Sequence, residues 1–86
     1  MDRFEWVYET RFQASDKAGN IYEIEKWTRY QIWNDSDGGG RAATTFRLQT
    51  DSGLPVECIS KGVYDVMHPR GPIRITTDNP MAPGPD

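Results

Sequence analysis

From Arg3 to Thr76 the hydrophobic and polar positions alternate with a period of two, and no segment sustains an apolar stripe at helical spacing. The pattern predicts an all-β chain: a single small antiparallel meander of five or six strands, either an open sheet or a small barrel. In "RFEWVYETRFQA" the even positions Phe4, Trp6, Tyr8, Phe12 and Ala14 share one face, which reads as the core side of a half-buried strand. Glu5, Glu9, Arg11 and Gln13 fall on the other face with Val7. "SDKAGN" then offers Gly19 and Asn20 for a turn.

The return strand "IYEIEKWTRYQIW" alternates less cleanly. Tyr22 and Ile24 share a face with Tyr30 and Ile32, but Lys26 and Thr28 interrupt it, while Ile21, Trp27 and Trp33 lie opposite. Two explanations stay open. A β-bulge near Lys26 would swing Trp27 onto the apolar face. Alternatively both faces are partly covered, which would require a partner over the tryptophans.

"NDSDGGGRAA", residues 34–43, reads as a mobile loop, with three consecutive glycines and nothing to bury. Beyond it, "TTFRLQT" is a strand, "DSG" a tight reversal, and "LPVECI" a strand that Pro55 assigns to an edge or a bulge. "SKG" and "HPRGP" punctuate two further strands, "VYDVM" and "IRIT". One domain over residues 1–77 is expected, with a disordered C-terminal tail over 78–86, where three prolines accompany little to bury.

Size and charge narrow the picture. A chain of 86 residues forms one domain with a small core, and small cores often gain support from self-association. Ten Lys and Arg against thirteen Asp and Glu leave a net charge of −3, which offers no long-range attraction to phosphate or anionic lipid. A single cysteine, Cys58, excludes an internal disulfide framework and favours a cytoplasmic setting. Neither an export signal nor an apolar run of about 18 residues is present, so no membrane partner is expected.

The run "FRLQTDSGLPVECISKGVYDVM", followed by "PIRIT", resembles a pattern in short, uncharacterised bacterial all-β proteins. In that pattern a strand, an aspartate-glycine turn, a "PV" strand, a short strand and a basic strand follow an aromatic hairpin. The likeness spans residues 46–76 and, more loosely, 4–33. Here the turn is "DSG" rather than "DG", and "VECISKG" replaces a more acidic stretch. The resemblance implies short antiparallel strands and transfers no functional residues, because the pattern has no known activity.

Catalytic chemistry finds little support. Cys58 and His68 are unique in the chain, but Cys58 alternates with Leu54 and Val56 toward the core, and His68 adjoins Pro69 in a loop. One cysteine and one histidine are too few soft ligands for zinc. "NDSDGGG" suggests the start of a calcium loop, yet counting 12 positions from Asp35 reaches Phe46, and no helices flank it. No Gly-Lys-Ser or Gly-Lys-Thr phosphate element follows the glycines. Glu5, Glu9, Glu23 and Glu25 could gather across the first hairpin, although Arg11, Lys26 and Arg29 offset them as on an ordinary solvent face. No enzyme, cofactor or metal is expected.

The expected function is that of a protein-interaction module, docking a protein partner or a second copy through exposed aromatics or an edge strand. The candidate contact residues are Trp27, Trp33 and Arg29, with Trp6 as a lesser one because its face reads as core. The alternative is a single-stranded nucleic-acid binder stacking bases on Trp6, Trp27 or Tyr30 beside Arg11, Arg29 and Arg47. That alternative requires the acids to lie on another face.

Overall fold

The structure, a computed structural model, describes residues 2–85; Met1 and Asp86 lie outside the described residues. Six antiparallel strands follow one another as a meander and close into a small barrel. Three are long: β1 (Arg3–Ser15), β2 (Ile21–Asp35) and β3 (Gly38–Thr50). Three are short: β4 (Pro55–Ser60), β5 (Val63–His68) and β6 (Gly71–Thr76). The short strands cover only the part of the long sheet nearest the β1–β2 turn. The remainder of β1, β2 and β3 projects as a three-stranded arm, and the molecule measures 55 × 28 × 18 Å. Its radius of gyration, 15.4 Å, exceeds the roughly 12 Å of a compact chain of this length.

Alternation builds the barrel core. Phe12 and Ala14 from β1, Ile24 from β2, Leu48 from β3, Val56 from β4, Tyr64 and Val66 from β5 and Ile75 from β6 point inward and are buried. Leu54, Cys58 and Ile73 pack against them. Each large side chain buried in this way contributes about 1.5–3 kcal/mol. The turns follow the expected residues. Gly53 closes the β3–β4 reversal by donating its amide to the Thr50 carbonyl at 2.9 Å. Gly62 sits at φ +84° with the Thr77 carbonyl 2.6 Å from where a Cβ would stand, so no larger residue fits that turn. Pro55 lies where β3 and β4 meet over only two residue pairs, Leu48 with Val56 and Gln49 with Pro55. The barrel's last seam is narrower still: β1 and β6 pair at Ser15 and Thr76 alone.

Residues 78–85, expected as a tail, contain no strand. Part of this segment is held against the barrel: Ala82 is buried, and the Tyr64 hydroxyl donates to the Pro83 carbonyl at 2.6 Å.

The reading of residues 34–43 as a mobile loop is corrected. β2 continues to Asp35, a two-residue turn follows at Ser36 and Asp37, and the glycines begin β3, with Gly38 opposite Asp35 and Gly40 opposite Trp33. Glycine weakens a strand because nothing covers its backbone. Trp33 supplies that cover: its indole lies against Gly40, with ring atom Cζ2 2.8 Å from where a Cβ would stand.

A bulge does lie beside Lys26, but its extra residue is in β1 rather than β2, so Trp27 is not swung onto the apolar face. Tyr8 pairs with Trp27 and Thr10 with Lys26, leaving Glu9 as the extra residue. A second bulge lies on the opposite flank of β2: Arg29 pairs with Thr45 and Tyr30 with Ala43, leaving Thr44 extra. The Thr44 hydroxyl donates to the Arg29 carbonyl at 3.0 Å. Both bulges sit where barrel becomes arm, and such insertions bend and twist a sheet.

Candidate functional site: the outward face of the arm

The bulge at Glu9 decides which way the first strand's aromatics point. Beyond it Phe12 and Ala14 enter the core, whereas before it Phe4, Trp6 and Tyr8 lie on the opposite, outward face. Phe4 is 51%, Trp6 37% and Tyr8 45% exposed. The assignment of Trp6 to a core face is therefore corrected: one additional residue inverts the alternation.

Register then collects all four candidate residues on one face, since side chains directly opposite in an antiparallel pair share a side of the sheet. Trp6 stands opposite Arg29 and Tyr8 opposite Trp27. In β2, Trp27, Arg29 and Trp33 alternate outward with Gln31, and β3 adds Arg47 opposite Trp27. The rings are tied into a lattice. Arg29 lies over Phe4 with its guanidinium carbon 3.9 Å from the ring centre. Arg47 lies over Trp6 at 4.5 Å, and Tyr8 meets Trp27 edge to face at 5.7 Å. Trp27 is also anchored by its indole N–H, which donates to Glu25 Oε1 at 3.2 Å. Such contacts contribute about 0.5–1.5 kcal/mol each, enough to orient rings without covering them.

Charge on this face is sparse and of both signs: beside the arginines, the Asp2 carboxylate reaches it, accepting from the Gln31 side-chain amide at 2.7 Å. Between Glu25 at the barrel end and Asp35 at the tip, outward positions of β2 hold Arg29 and no carboxylate, and those of β1 and β3 add Arg47. The inward face of the arm is mixed. It carries Arg3, Glu5 and Val7 beside Tyr30 and Ile32, with Arg41 over the Tyr30 ring at 4.3 Å. The Tyr30 hydroxyl donates to the Glu9 carboxylate, which holds the phenol's pKa above its usual value.

The sequence reading omitted Phe4 and Tyr8 from the site because it followed unbroken alternation through Glu9. The four glutamates do not converge. Glu25 stands opposite Arg11 and Glu23 opposite Gln13 on the outside of the barrel, while Glu5 stands opposite Tyr30 on the other face. Cys58 sits opposite Tyr64, and His68 closes the β5–β6 turn opposite Gly71. Among the described residues no three His, Cys, Asp or Glu side chains gather as a metal site, and no helix is long and apolar enough to cross a membrane. A cleft of about 460 Å³ at the β1–β6 seam is lined by Gln13, Ser15, Ile21, Thr76 and Asp78. It has one carboxylate and no second titratable group to work with it. Comparison with protein-family models, curated proteins and solved structures finds no match to this chain.

Proposed function

We propose that the chain is a non-enzymatic protein-interaction module: a small barrel that presents a projecting arm for docking a protein partner or a second copy. The observation that carries this reading is the outward face of the arm, where Phe4, Trp6, Tyr8, Trp27 and Trp33 share one surface with no layer of the described chain over it. Aromatic residues and arginine are the side chains that most often anchor protein interfaces. Here they are already oriented by one another, which lowers the entropy lost on docking.

A second reading, single-stranded nucleic-acid binding, draws on the same face because it combines stacked rings with Arg29 and Arg47. Two arginines against a net charge of −3 make a weak electrostatic footprint, so protein docking is the better account.

The test is light scattering over a range of concentrations on the wild type and on Trp6→Ala, Trp27→Ala and Trp33→Ala, each checked for folding by circular dichroism. Loss of association in a folded variant supports docking through the face. A chain that stays monomeric yet binds a single-stranded oligonucleotide with affinity falling steeply in salt overturns the reading.

A further inference from the structure

Both edges of the arm end in open hydrogen-bonding ladders, and they are not equivalent. The β1 edge is guarded, with Arg3, Glu5, Glu9 and Arg11 along it and a bulge at Glu9; charges and bulges keep other strands away. The β3 edge differs. Its own bulge, at Thr44, lies nearer the barrel, and from there to the tip, Gly38 to Ala43, it carries one charge, Arg41, against Arg3 and Glu5 on the like stretch of β1. β3 finds its other neighbour, β4, only at Leu48 and Gln49.

We propose that two copies of this chain pair antiparallel along their β3 edges at Gly38–Ala42; the proposal rests on the protein-interaction reading above. Three arguments select a second copy as the occupant. First, symmetry: β3 against β3 is isologous and closes as a dimer, whereas β3 against the guarded β1 edge would be head to tail and open-ended.

Second, register. Paired side chains must share a face, so residues of like parity oppose one another. Pairing Arg41 with Arg41 is excluded as a direct opposition of like charges. The register centred on Gly40 instead sets Gly38 opposite Ala42 and Gly39 opposite Arg41. Arg41, which lies on the inward face over its own Tyr30 ring, then stands diagonal to Asp37 in the other copy's hairpin turn. The charges are complementary.

Third, the aromatic face argues against the other symmetric arrangement. Packing outward face on outward face would bring Arg29 and Arg47 of both copies into one interface, where the Asp2 carboxylate is already engaged by Gln31. Edge pairing avoids this and places both aromatic faces on the same side of one six-stranded sheet. Because each Trp33 indole lies against its own Gly40, the two indoles meet over the central pair of glycines. That position is open only because Gly40 has no side chain.

Sedimentation equilibrium on the full chain up to about 1 mM, combined with amide hydrogen exchange by NMR at low and high concentration, tests the proposal. The wild type is expected to dimerise reversibly, with concentration-dependent protection confined to amides in 38–42. Arg41→Glu places a carboxylate beside the acidic tip and should weaken the dimer by about tenfold or more; adding Asp37→Lys to Arg41→Glu should restore it. A chain that stays monomeric overturns the proposal, as does a dimer whose protection falls elsewhere or that ignores Arg41→Glu. Association weakened by Trp6→Ala but not by Arg41→Glu would sink edge pairing while leaving docking through the aromatic face intact.

Discussion

The two ends of β2 belong to different kinds of sheet. At one end Ile24 is fully buried, with Phe12 opposite it on β1 and the short strands β4–β6 packed across the same face. At the other, Tyr30, Ile32 and Trp33 sit in a ladder as regular as the first with no layer of described residues on either side. Hydrogen-bonded pairing is the same in both; burial is not. The comparison shows that the ladder sets shape while the covering layer sets stability, because net stabilisation per backbone hydrogen bond is small and apolar burial is the larger gain.

The largest expected contrast comes from truncating one residue in each half. Ile24→Ala should lower stability by about 2–5 kcal/mol, because it empties a closed core. Trp6→Ala, although it removes a larger side chain, should cost about 1 kcal/mol or less, since its ring is already partly in water. Urea unfolding followed by far-ultraviolet circular dichroism reads both values; comparable losses would mean that the arm has a core of its own.

Deleting Glu9 should have a smaller effect, about 1 kcal/mol or roughly 4–8 °C in Tm, since Tyr30 loses its acceptor while Tyr8 and Thr10 become consecutive against Trp27 and Lys26. Alternation is then in phase on both sides of the junction. Trp6 should remain as accessible to acrylamide quenching as before; a shielded Trp6 would show that the arm end of β1 slips by one residue against β2 instead of losing the bulge.

The smallest effect is expected at the β1–β2 turn, at the barrel end. Asp16 accepts hydrogen bonds from the Asn20 side chain and from the backbone amides of Asn20 and Ala18, each at 2.9 Å. These hold its carboxyl below the ordinary value. A carboxyl lowered on folding adds stability above its unfolded pKa and loses it as the pH falls through the folded one. Asp16→Asn should therefore lower Tm slightly at neutral pH and flatten the acid limb below about pH 4; an unchanged acid limb would mean that the turn is held by its backbone alone.

Much of the barrel was legible because its residues obey local rules. Gly53, Gly62 and the "HPRGP" stretch marked reversals, and Val56, Tyr64, Val66 and Ile75 carried clean alternation inward. The all-β meander, with a barrel as one of its two forms, followed. The arm was harder to read for two physical reasons. A bulge leaves no fixed residue signature, so Glu9 looked like one more polar position and Trp6 was counted with the core. The "GGG" run obeys turn propensity in isolation, but a tryptophan across the strand, Trp33 on Gly40, makes an extended conformation worthwhile. That contact depends on register, which a local reading does not contain. Trp27, Trp33 and Arg29 were visible as contact candidates, but the face of Trp27 was left open between a bulge and a covered surface, and the convergence of these residues with Trp6, Phe4 and Tyr8 was not legible.

The single pair that closes the barrel, Ser15 with Thr76, has a kinetic meaning. Each of the five other strand pairings joins neighbours in the chain through a short turn, so each hairpin can begin to form with little loop entropy to overcome. Closure alone must bring together residues from nearly opposite ends of the sequence, and such a contact forms at the greatest entropic cost. The fold thus confines its long-range search to one narrow seam, while the arm zips up as an extension of hairpins already begun.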